Sequence, residues 1–507
     1  MKKIALLTLA AASLGGMLLS ACSVGFGGGN GDKKYELVSD DPTSTVDIHF
    51  WHCLGHDKTA NLQVIADGFN KKYAGKYRIV LDKVAGDYGS LASDIKTKLA
   101  AGEVPAISMG YPDSFSAYMG DDVSTSSIYC LDKFIADPNF GYSEEEINDF
   151  VPEYYAEGKN YQFDGVWSMP MYKSTEVMYF NENYFAGDNE QSKKKLNANK
   201  EYLAQLSIVQ AAAANVTKED LNKLREITKK AGGYVYDIPE TWDAMFAMGE
   251  QMQKDRAEQE IGGEFYPVGY DSDANMLISQ WAQRGIAYTQ NSEECKSDPD
   301  LHYLFNNKDA KDFVSDVISK IEKKLMITKG VLGGSKYTNV FFTDVKTAVS
   351  IGSTGGSSYQ VSSNFRVGVA AVPHAEGKEA KYIQQGPSIC FFDNDDPYIH
   401  KGAWLFYKEL AEPLNNAKLA LENSYDPIRV SSYETKNYKD WVAKADRGLN
   451  YLIPSVTQTL KNNYMTSPVF VGSDTARDAV DQILADIVNS HESIDDAFSA
   501  AFNKCTQ

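Results

Sequence analysis

Hydrophobic positions near the start of the chain follow two periods in turn. A period of two at 46–51 predicts a strand, and the short apolar runs at 79–81 and 106–109 predict two more. Apolar residues at helical spacing fill 62–73 and 91–99 between them. Strands and helices that alternate in this way predict an α/β fold with a mostly parallel sheet and helices on both faces. In such sheets, ligands bind beyond the carboxyl ends of the strands.

A different pattern fills residues 186–238. The segment contains a lysine run, an alanine run, a helix start signal at 217–220 and a glycine pair at 232–233 that ends a helix. We interpret it as an insertion of two surface helices joined by a turn. The earlier pattern resumes at Pro239, and further helices are predicted over 242–252, 403–410 and 479–488.

Residues 1–22 predict export from the cytoplasm. Two lysines precede an apolar run that is too short for a permanent membrane helix, and small residues lead to Cys22. The last four residues resemble a bacterial lipobox, which implies a lipidated Cys22 on the outer face of the cytoplasmic membrane. This face is the cell surface in a Gram-positive type of cell. A secretory signal without lipid is the alternative, and glycines make 23–34 a flexible linker.

The composition argues against several functional classes. The 507 residues carry a formal net charge of -19, a balance that repels nucleic acid. A hydrophobic content of 43% is ordinary for a globular protein, and the length favours two lobes. The cysteines after Cys22 are scattered without a Cys-x-x-Cys spacing. This scatter indicates that the cysteines are small buried hydrophobic residues, and it argues against a disulfide framework or a zinc site.

Sequence motifs for catalysis or cofactor binding are absent. We find no nucleophile elbow, no His-Glu-x-x-His and no phosphate-binding P-loop. The acidic run at 393–396 lacks the glycine and the distal glutamate of an EF-hand loop, which favours a solvated turn over a calcium site. The sequence therefore favours a binding protein without metal or cofactor over an enzyme.

Short motifs spread over nearly the whole mature chain resemble the extracellular solute-binding proteins of bacterial ATP-driven importers. This group contains the maltose-binding and glycerol-3-phosphate-binding proteins. The motifs are IHFWH (48–52), FNKKY (69–73), LAAGEVP (99–105), GVWSMP (165–170), YFN (179–181), PETWD (239–243), AWLF (403–406) and YDPIR (425–429).

The resemblance implies a fold and a function. The fold is the type II periplasmic-binding-protein-like one, in which two α/β lobes close around a ligand at a hinge. Lobe one is expected at 35–173 and 384–430, and lobe two, which contains the insertion, at 174–383 and 431–507. The function implied is a monomer that captures a mono- or oligosaccharide and delivers it to an ABC permease. A glycerol phosphate ligand, a surface adhesin and a glycan-processing enzyme are the alternatives.

Four residues are candidate sugar contacts because sugar sites combine aromatic platforms with fixed donors and acceptors. Trp51 and His52 end the first strand, and the alternation puts Trp51 off the buried face. Tyr88 lies among glycines and is either a ligand contact or part of a plain turn. Asp113 follows the strand at 106–109 and either accepts sugar hydroxyls, as the resemblance implies, or caps a helix.

The resemblance implies further contacts in the second lobe. Ser174 and Thr175 match a hydroxyl contact at the hinge. Ser353 begins a run of small residues within 352–358, whose backbone amides can bind an oxygen or a phosphate. A flexible loop without ligand has the same composition.

Four more residues, together with Arg477, complete the candidate site. Gly386 and Tyr425 match a close backbone contact and a phenol that reaches across the cleft. Trp281 is either a stacking platform or a core residue of its helix. Arg429 and Arg477 are candidate partners for an anionic ligand, because a guanidinium pairs bidentately with phosphate. The sequence leaves the choice between a neutral sugar and a sugar phosphate open.

Overall fold

Two β-sheets with surrounding helices organise the part of the chain that the computed structural model describes, residues 37–334 and 336–506. The predicted export signal, Cys22 and the linker 23–34 lie outside these residues. The strands are β1 (Val46–His52), β2 (Tyr77–Lys83), β3 (Ile107–Gly110), β4 (Met169–Pro170), β5 (Ser174–Asn181), β6 (Tyr266–Tyr270), β7 (Met326–Thr328), β8 (Thr347–Ser353), β9 (Val367–Ala371), β10 (Tyr382–Gln385), β11 (Ser388–Phe391) and β12 (Tyr464–Met465).

Helices connect these strands and cover the sheets. The first ten are α1 (His56–Lys72), α2 (Tyr88–Ala100), α3 (Pro112–Met119), α4 (Asp132–Ile135), α5 (Glu144–Asn148), α6 (Pro152–Glu157), α7 (Glu182–Ala186), α8 (Glu190–Lys195), α9 (Lys200–Ala212) and α10 (Lys218–Lys230). The rest are α11 (Trp242–Glu258), α12 (Asp273–Arg284), α13 (Lys308–Glu322), α14 (Asn339–Thr343), α15 (Pro397–Leu410), α16 (Pro413–Glu422), α17 (Val430–Glu434), α18 (Lys436–Val442), α19 (Leu449–Thr457), α20 (Ser473–Asn489) and α21 (Ile494–Cys505).

The first sheet has the strand order β2-β1-β3-β11-β4. β1 runs parallel to β2 and β3, whereas β11 is antiparallel to β3 and β4. β1 is therefore an interior strand, and α15 packs against it. Phe50 of β1 is fully buried and meets Phe406 of α15 edge-on, with 6.1 Å between ring centroids. The βαβ unit predicted from the hydrophobic periods is confirmed in β1, α1 and β2.

The second sheet contains seven strands in the order β12-β10-β5-β8-β6-β7, with β9 paired to β5. β5 is antiparallel to β8, β9 and β10, while β6 runs parallel to β7 and β8. Residues of β5 are almost all buried, and neighbouring strands flank it on both sides. A charged side chain on this strand is consequently held inside the protein.

The chain passes between the two sheets three times. β4 ends at Pro170 in the first sheet and β5 begins at Ser174 in the second, while β10 and β11 make the return passage. The third passage lies between α16, which packs beside α1, and α19, which packs on β9. Lys173 and Asp426 join the first and third passages through two backbone hydrogen bonds of 3.0 and 2.6 Å. The predicted two-lobed α/β architecture is confirmed.

The segment 186–238 has a small core of its own. Side chains from α9 and α10 bury one another in a cluster separate from the main core, with contributions from Ala186 and Leu196. Thr217 caps α10, since its hydroxyl accepts from the backbone N–H of Asp220 at 3.1 Å. The two predicted helices correspond to α9 and α10, and the short α8 precedes them.

None of the helices in 37–334 and 336–506 has the length and apolarity needed to cross a membrane. The same residues hold no group of three or more His, Cys, Asp or Glu side chains that could bind a metal ion. The cysteines from Cys53 to Cys505 are free thiols.

Candidate ligand-binding cleft

A cleft of about 1280 Å³ lies where strands of both sheets end. Its walls come from the turns after β2, β3, β6, β7 and β8 and from β10 itself, as expected for a ligand site at the carboxyl ends of strands. The volume exceeds the upper range of ordinary small-molecule pockets, so a ligand larger than one sugar ring fits. Residues from these turns include Asp87, Tyr88, Tyr111, Asp113, Asp271, Ser272, Lys329 and Ser353.

Carboxylates outnumber cations among the residues that line the cleft, by 8 to 4. Such an excess creates a negative potential, which disfavours a free phosphate. Lys96 pairs with Asp474 at 3.8 Å, which leaves fewer unpaired cations still. The carboxylates are Asp87, Asp113, Glu157, Glu176, Asp271, Asp474, Asp478 and Asp481, and the cations are Lys96, Lys329, Lys336 and Arg477.

Helix amino termini point carboxylates of the chain itself toward the cleft. Asp87 caps α2 and accepts from the N–H of Ser90 at 2.9 Å. Asp113 and Asp474 lie in the first turns of α3 and α20. The positive end of a helix can bind a phosphate, and here a carboxylate lies close to each of these three ends, which disfavours a phosphate there.

A hydrogen-bonded row on the second-sheet side fixes one guanidinium in the cleft wall. Glu176 of β5 is 3% exposed and accepts from the Tyr270 hydroxyl at 2.6 Å and the Asn275 amide at 2.7 Å. Arg477 of α20 donates to the Asn275 side-chain oxygen. Burial raises the pKa of Glu176 to about 7, although these hydrogen bonds and the charge of Arg477 oppose the rise.

Three glutamines of the cleft lining contain buried polar atoms without hydrogen-bond partners among the described residues. Gln384 has neither its amide nitrogen nor its oxygen hydrogen-bonded to any residue in the described part of the chain. The side-chain oxygens of Gln385 and Gln360 are equally unpartnered, although Gln360 donates to Asp271 at 3.2 Å. All three line the cleft. Buried polar atoms are normally satisfied, so these atoms are suited to the hydroxyls of a ligand.

Tyrosines supply the apolar part of the cleft. Tyr88 and Tyr111 lie together, with 4.6 Å between ring centroids, on the first-sheet side. Tyr337 and Tyr359 line the other side and are 54% and 72% exposed. Exposed rings of this kind can stack on the C–H faces of a sugar.

The structure brings together four of the residues predicted from sequence. Tyr88, Asp113, Ser353 and Arg477 all line the cleft. Asp113 accepts from the Ser473 hydroxyl at 3.1 Å, and burial raises its pKa. The Ser353 hydroxyl accepts from the N–H of Gly355 at 3.2 Å, so it also orders the small-residue loop.

Four predicted residues lie at the chain passages, next to the cleft lining but not in it. Ser174 and Thr175 are buried, and the Thr175 hydroxyl donates to the carbonyl of Ile383 at 2.8 Å. Gly386 has a φ of +94°, and a Cβ there would lie 2.8 Å from a backbone oxygen, so only glycine fits. Tyr425 packs against Tyr172 with 4.4 Å between ring centroids.

Trp51 and His52 are not exposed to the cleft, contrary to the prediction. Trp51 is 9% exposed beneath Lys98, whose ammonium lies 4.9 Å from the ring centroid. His52 is fully buried; its Nδ1 accepts from the N–H of Leu54 at 3.2 Å, and burial lowers its pKa to about 4. The alternation fails at this end of the strand because Phe50, Trp51 and His52 are all buried, so both faces of β1 are covered there.

Trp281 and Arg429 likewise serve the core. Trp281 is fully buried on α12 and packs against Phe498. Of the two predicted roles, it therefore has that of a core residue. The Arg429 guanidinium donates to the carbonyls of Glu146 at 2.8 Å and Ala411 at 3.1 Å. It also lies 4.1 Å from the centroid of a phenylalanine ring. Its donors are engaged away from the cleft.

Sequence reasoning missed most of the polar lining. Glu176 could have been selected from the sequence, because a carboxylate inside an otherwise apolar strand requires a hydrogen-bond partner or has a functional role. The glutamine pair at 384–385 directly precedes Gly386, a predicted ligand contact, so its position was a clue as well. For Asn275 and Tyr111 the sequence offers no signal, because their role depends on which turns meet in space.

Comparison with known proteins agrees with this architecture. The family model of bacterial extracellular solute-binding proteins matches residues 65–446. The sn-glycerol-3-phosphate-binding periplasmic protein UgpB of Pectobacterium atrosepticum is 24% identical over 406 residues, which cover 79% of this chain and 77% of that protein.

Solved structures of similar fold cover nearly all of the chain. UgpB of Mycobacterium tuberculosis in complex with glycerophosphocholine matches with a TM-score of 0.64 and 14% identity, over 91% of this chain and 98% of that one. The cyclic α-maltosyl-1,6-maltose binding protein of Arthrobacter globiformis matches with a TM-score of 0.63 and 16% identity, with the same coverage. The chain belongs to the family of bacterial extracellular solute-binding proteins.

Proposed function

We propose that this chain is the lipid-anchored, carbohydrate-binding component of an ABC importer. It captures a mono- or oligosaccharide in the cleft as a monomer, closes around it and delivers it unaltered to a membrane permease. Ligand contacts from both sides of the cleft favour closure only through their higher affinity for the closed state. Relatives that bind sugars or glycerol phosphates support this class of function.

The observation that carries the proposal is the unsatisfied polar lining of an acidic, tyrosine-rich cleft. Glutamine amides without partners can bind both lone pairs and hydrogens of hydroxyl groups. Carboxylates accept hydroxyl hydrogens strongly, whereas they repel an anion. A neutral polyol satisfies all of these groups at once.

A thermal-shift screen of the mature protein tests the proposal. Only a compound that binds the folded state raises the unfolding midpoint, and at 100 times its dissociation constant it adds about 2.7 kcal/mol of stability. We expect maltose, maltotriose or mannotriose to raise the midpoint, and sn-glycerol 3-phosphate to leave it unchanged. A screen in which no saccharide acts would contradict the carbohydrate assignment, and so would cleavage of the saccharide.

A glycerol phosphate diester is the second candidate ligand, and Arg477 is the observation in its favour. Its guanidinium lies in the cleft, where a neutral side chain is its only hydrogen-bond partner among the described residues. A phosphodiester carries one negative charge, which a single guanidinium can balance. If glycerophosphocholine binds, Arg477→Gln should abolish the shift, whereas a neutral sugar should tolerate that variant better.

Lipid anchoring is tested on the whole precursor. Cys22→Ser removes the thiol that would carry the lipid, so the variant should appear in the soluble fraction of the cell exterior while the wild-type protein stays with membranes. A Cys53→Ser variant is the matched control, since that cysteine lies within the folded part of the chain. Membrane association of both variants would rule the anchor out.

A further inference from the structure

Lys173 places a buried ammonium at the junction of the three chain passages. Its side chain is 0% exposed, and its Nζ donates to the Ser388 hydroxyl at 2.9 Å and the Gly386 carbonyl at 3.3 Å. It also forms a short ion pair with Glu157. The backbone of Lys173 pairs with that of Asp426. One residue thus joins the first passage to the second through its side chain and to the third through its backbone.

Glu157 connects this junction to the cleft. The residue ends α6 and lines the cleft, although little of it is exposed. Its Oε2 accepts from both Lys173 and the Ser388 hydroxyl, the latter at 2.9 Å. Its Oε1 accepts no hydrogen bond from any residue in 37–334 or 336–506.

We infer that Glu157 Oε1 accepts a hydroxyl of the bound solute. The solute is then bonded, through one carboxylate, to the ammonium that ties the three passages together. The inference rests on the proposed carbohydrate function and names a specificity-determining residue for it. Glu157 selects a ligand with a hydroxyl at this point of the cleft, and it positions the junction at which the two lobes turn.

The electrostatics of the pair fit both tasks. Burial lowers the pKa of Lys173, and the charge of Glu157 opposes that effect, so the carboxylate favours the charged form of the ammonium. A hydroxyl that donates to an ionised carboxylate in a water-poor site forms a stronger hydrogen bond than a neutral pair does. A site built for such a donor discriminates sharply against an analogue that lacks it.

The test uses a double variant, because Glu157→Gln alone would leave a buried ammonium without its counterion. Glu157→Gln combined with Lys173→Met removes both charges at similar volume. Glu153→Gln, on the same helix but outside the cleft lining, is the matched control. Thermal unfolding should confirm that both variants fold.

The first measurement needs no ligand. Hydrogen exchange of the backbone amides in β10 and β11 reports on the second passage. We expect exchange about 10-fold faster in the double variant and unchanged exchange in the control, because local opening follows the contacts that tie a segment down. Equal exchange in all three proteins would overturn the role of Lys173 at the junction.

The second measurement is calorimetric titration with maltotriose and with glycerophosphocholine. The probe that the wild-type protein accepts should bind the double variant about 10-fold more weakly, and the control with wild-type affinity. Unchanged affinity of the double variant would overturn the hydroxyl contact. If neither probe binds the wild-type protein, the comparison is made with the saccharide that raises the midpoint in the thermal-shift screen. Only a screen in which no saccharide acts overturns the proposed function and the contact together, while the exchange experiment decides the role of the junction independently.

Discussion

Two arginines, Arg429 and Arg477, show how the same side chain serves structure in one place and a binding site in another. The Arg429 guanidinium has two backbone carbonyls as acceptors, the carboxylate of Asp149 at 3.5 Å and a stacked ring. Arg477 lies in the cleft, where the side-chain oxygen of Asn275 is the hydrogen-bond partner found among the described residues. A buried side chain with many hydrogen-bond partners is typical of a structural role, whereas a side chain with few partners in a cleft is typical of a binding site.

The largest expected difference is in stability. Arg429→Ala should lower the free energy of unfolding by about 3 to 4 kcal/mol, since it leaves buried acceptors and a nearby carboxylate unpaired. Arg477→Ala should lower the free energy of unfolding by less than about 1 kcal/mol, because the substitution removes few hydrogen bonds. Urea unfolding of both variants measures the difference. Similar losses would break the comparison between the two sites.

The pH dependence of stability sharpens the same contrast at Glu176, which lies behind Arg477. Burial raises the folded pKa of Glu176 to about 7 from an ordinary value of 4.5. The folded protein therefore holds the proton between these values, so the stabilisation is complete below pH 4.5 and is lost as the pH rises through 7.

Glu176→Gln should remove this part of the profile. Between pH 4.5 and 8 the variant should lose about 2 to 3 kcal/mol less stability than the wild-type protein. Burial also raises the pKa values of Asp273 and Asp426 to about 7, but these groups are present in both proteins and cancel. Urea unfolding at several pH values checks the prediction, and parallel profiles would contradict it.

The smallest expected effect compares two buried glutamines. The Gln283 side-chain oxygen accepts from Trp242 Nε1 at 3.2 Å and from the N–H of Ala375 at 3.0 Å. Neither polar side-chain atom of Gln384 has a partner within the described part of the chain. Gln283→Leu should lower the free energy of unfolding by about 2 kcal/mol, because it leaves two buried donors without an acceptor.

Gln384→Leu should leave the stability of the ligand-free protein unchanged or raise it slightly, since an unsatisfied amide gains nothing from burial. The same variant should bind saccharides more weakly. Thermal unfolding with and without maltotriose separates the two effects. A destabilised Gln384→Leu protein with normal saccharide affinity would assign this glutamine to the core.

The fold was more predictable from sequence than the cleft, for a physical reason. Hydrophobic periodicity is a local property, and it located β1, α1 and β2 because each buries its own apolar face. It misassigned Trp51, since the ring is covered by Lys98 of α2, which is distant in the chain. Whether a polar atom finds a partner is equally non-local: Ser388, which bonds Glu157, lies 231 positions away.

The separate core of the 186–238 insertion has a consequence for how this protein can diverge. Because α9 and α10 bury their apolar faces against each other, their outward surface can change without repacking either sheet. We therefore expect substitutions on that surface to leave the geometry of the cleft intact, so that lineages can acquire new surface properties without a change in the cleft.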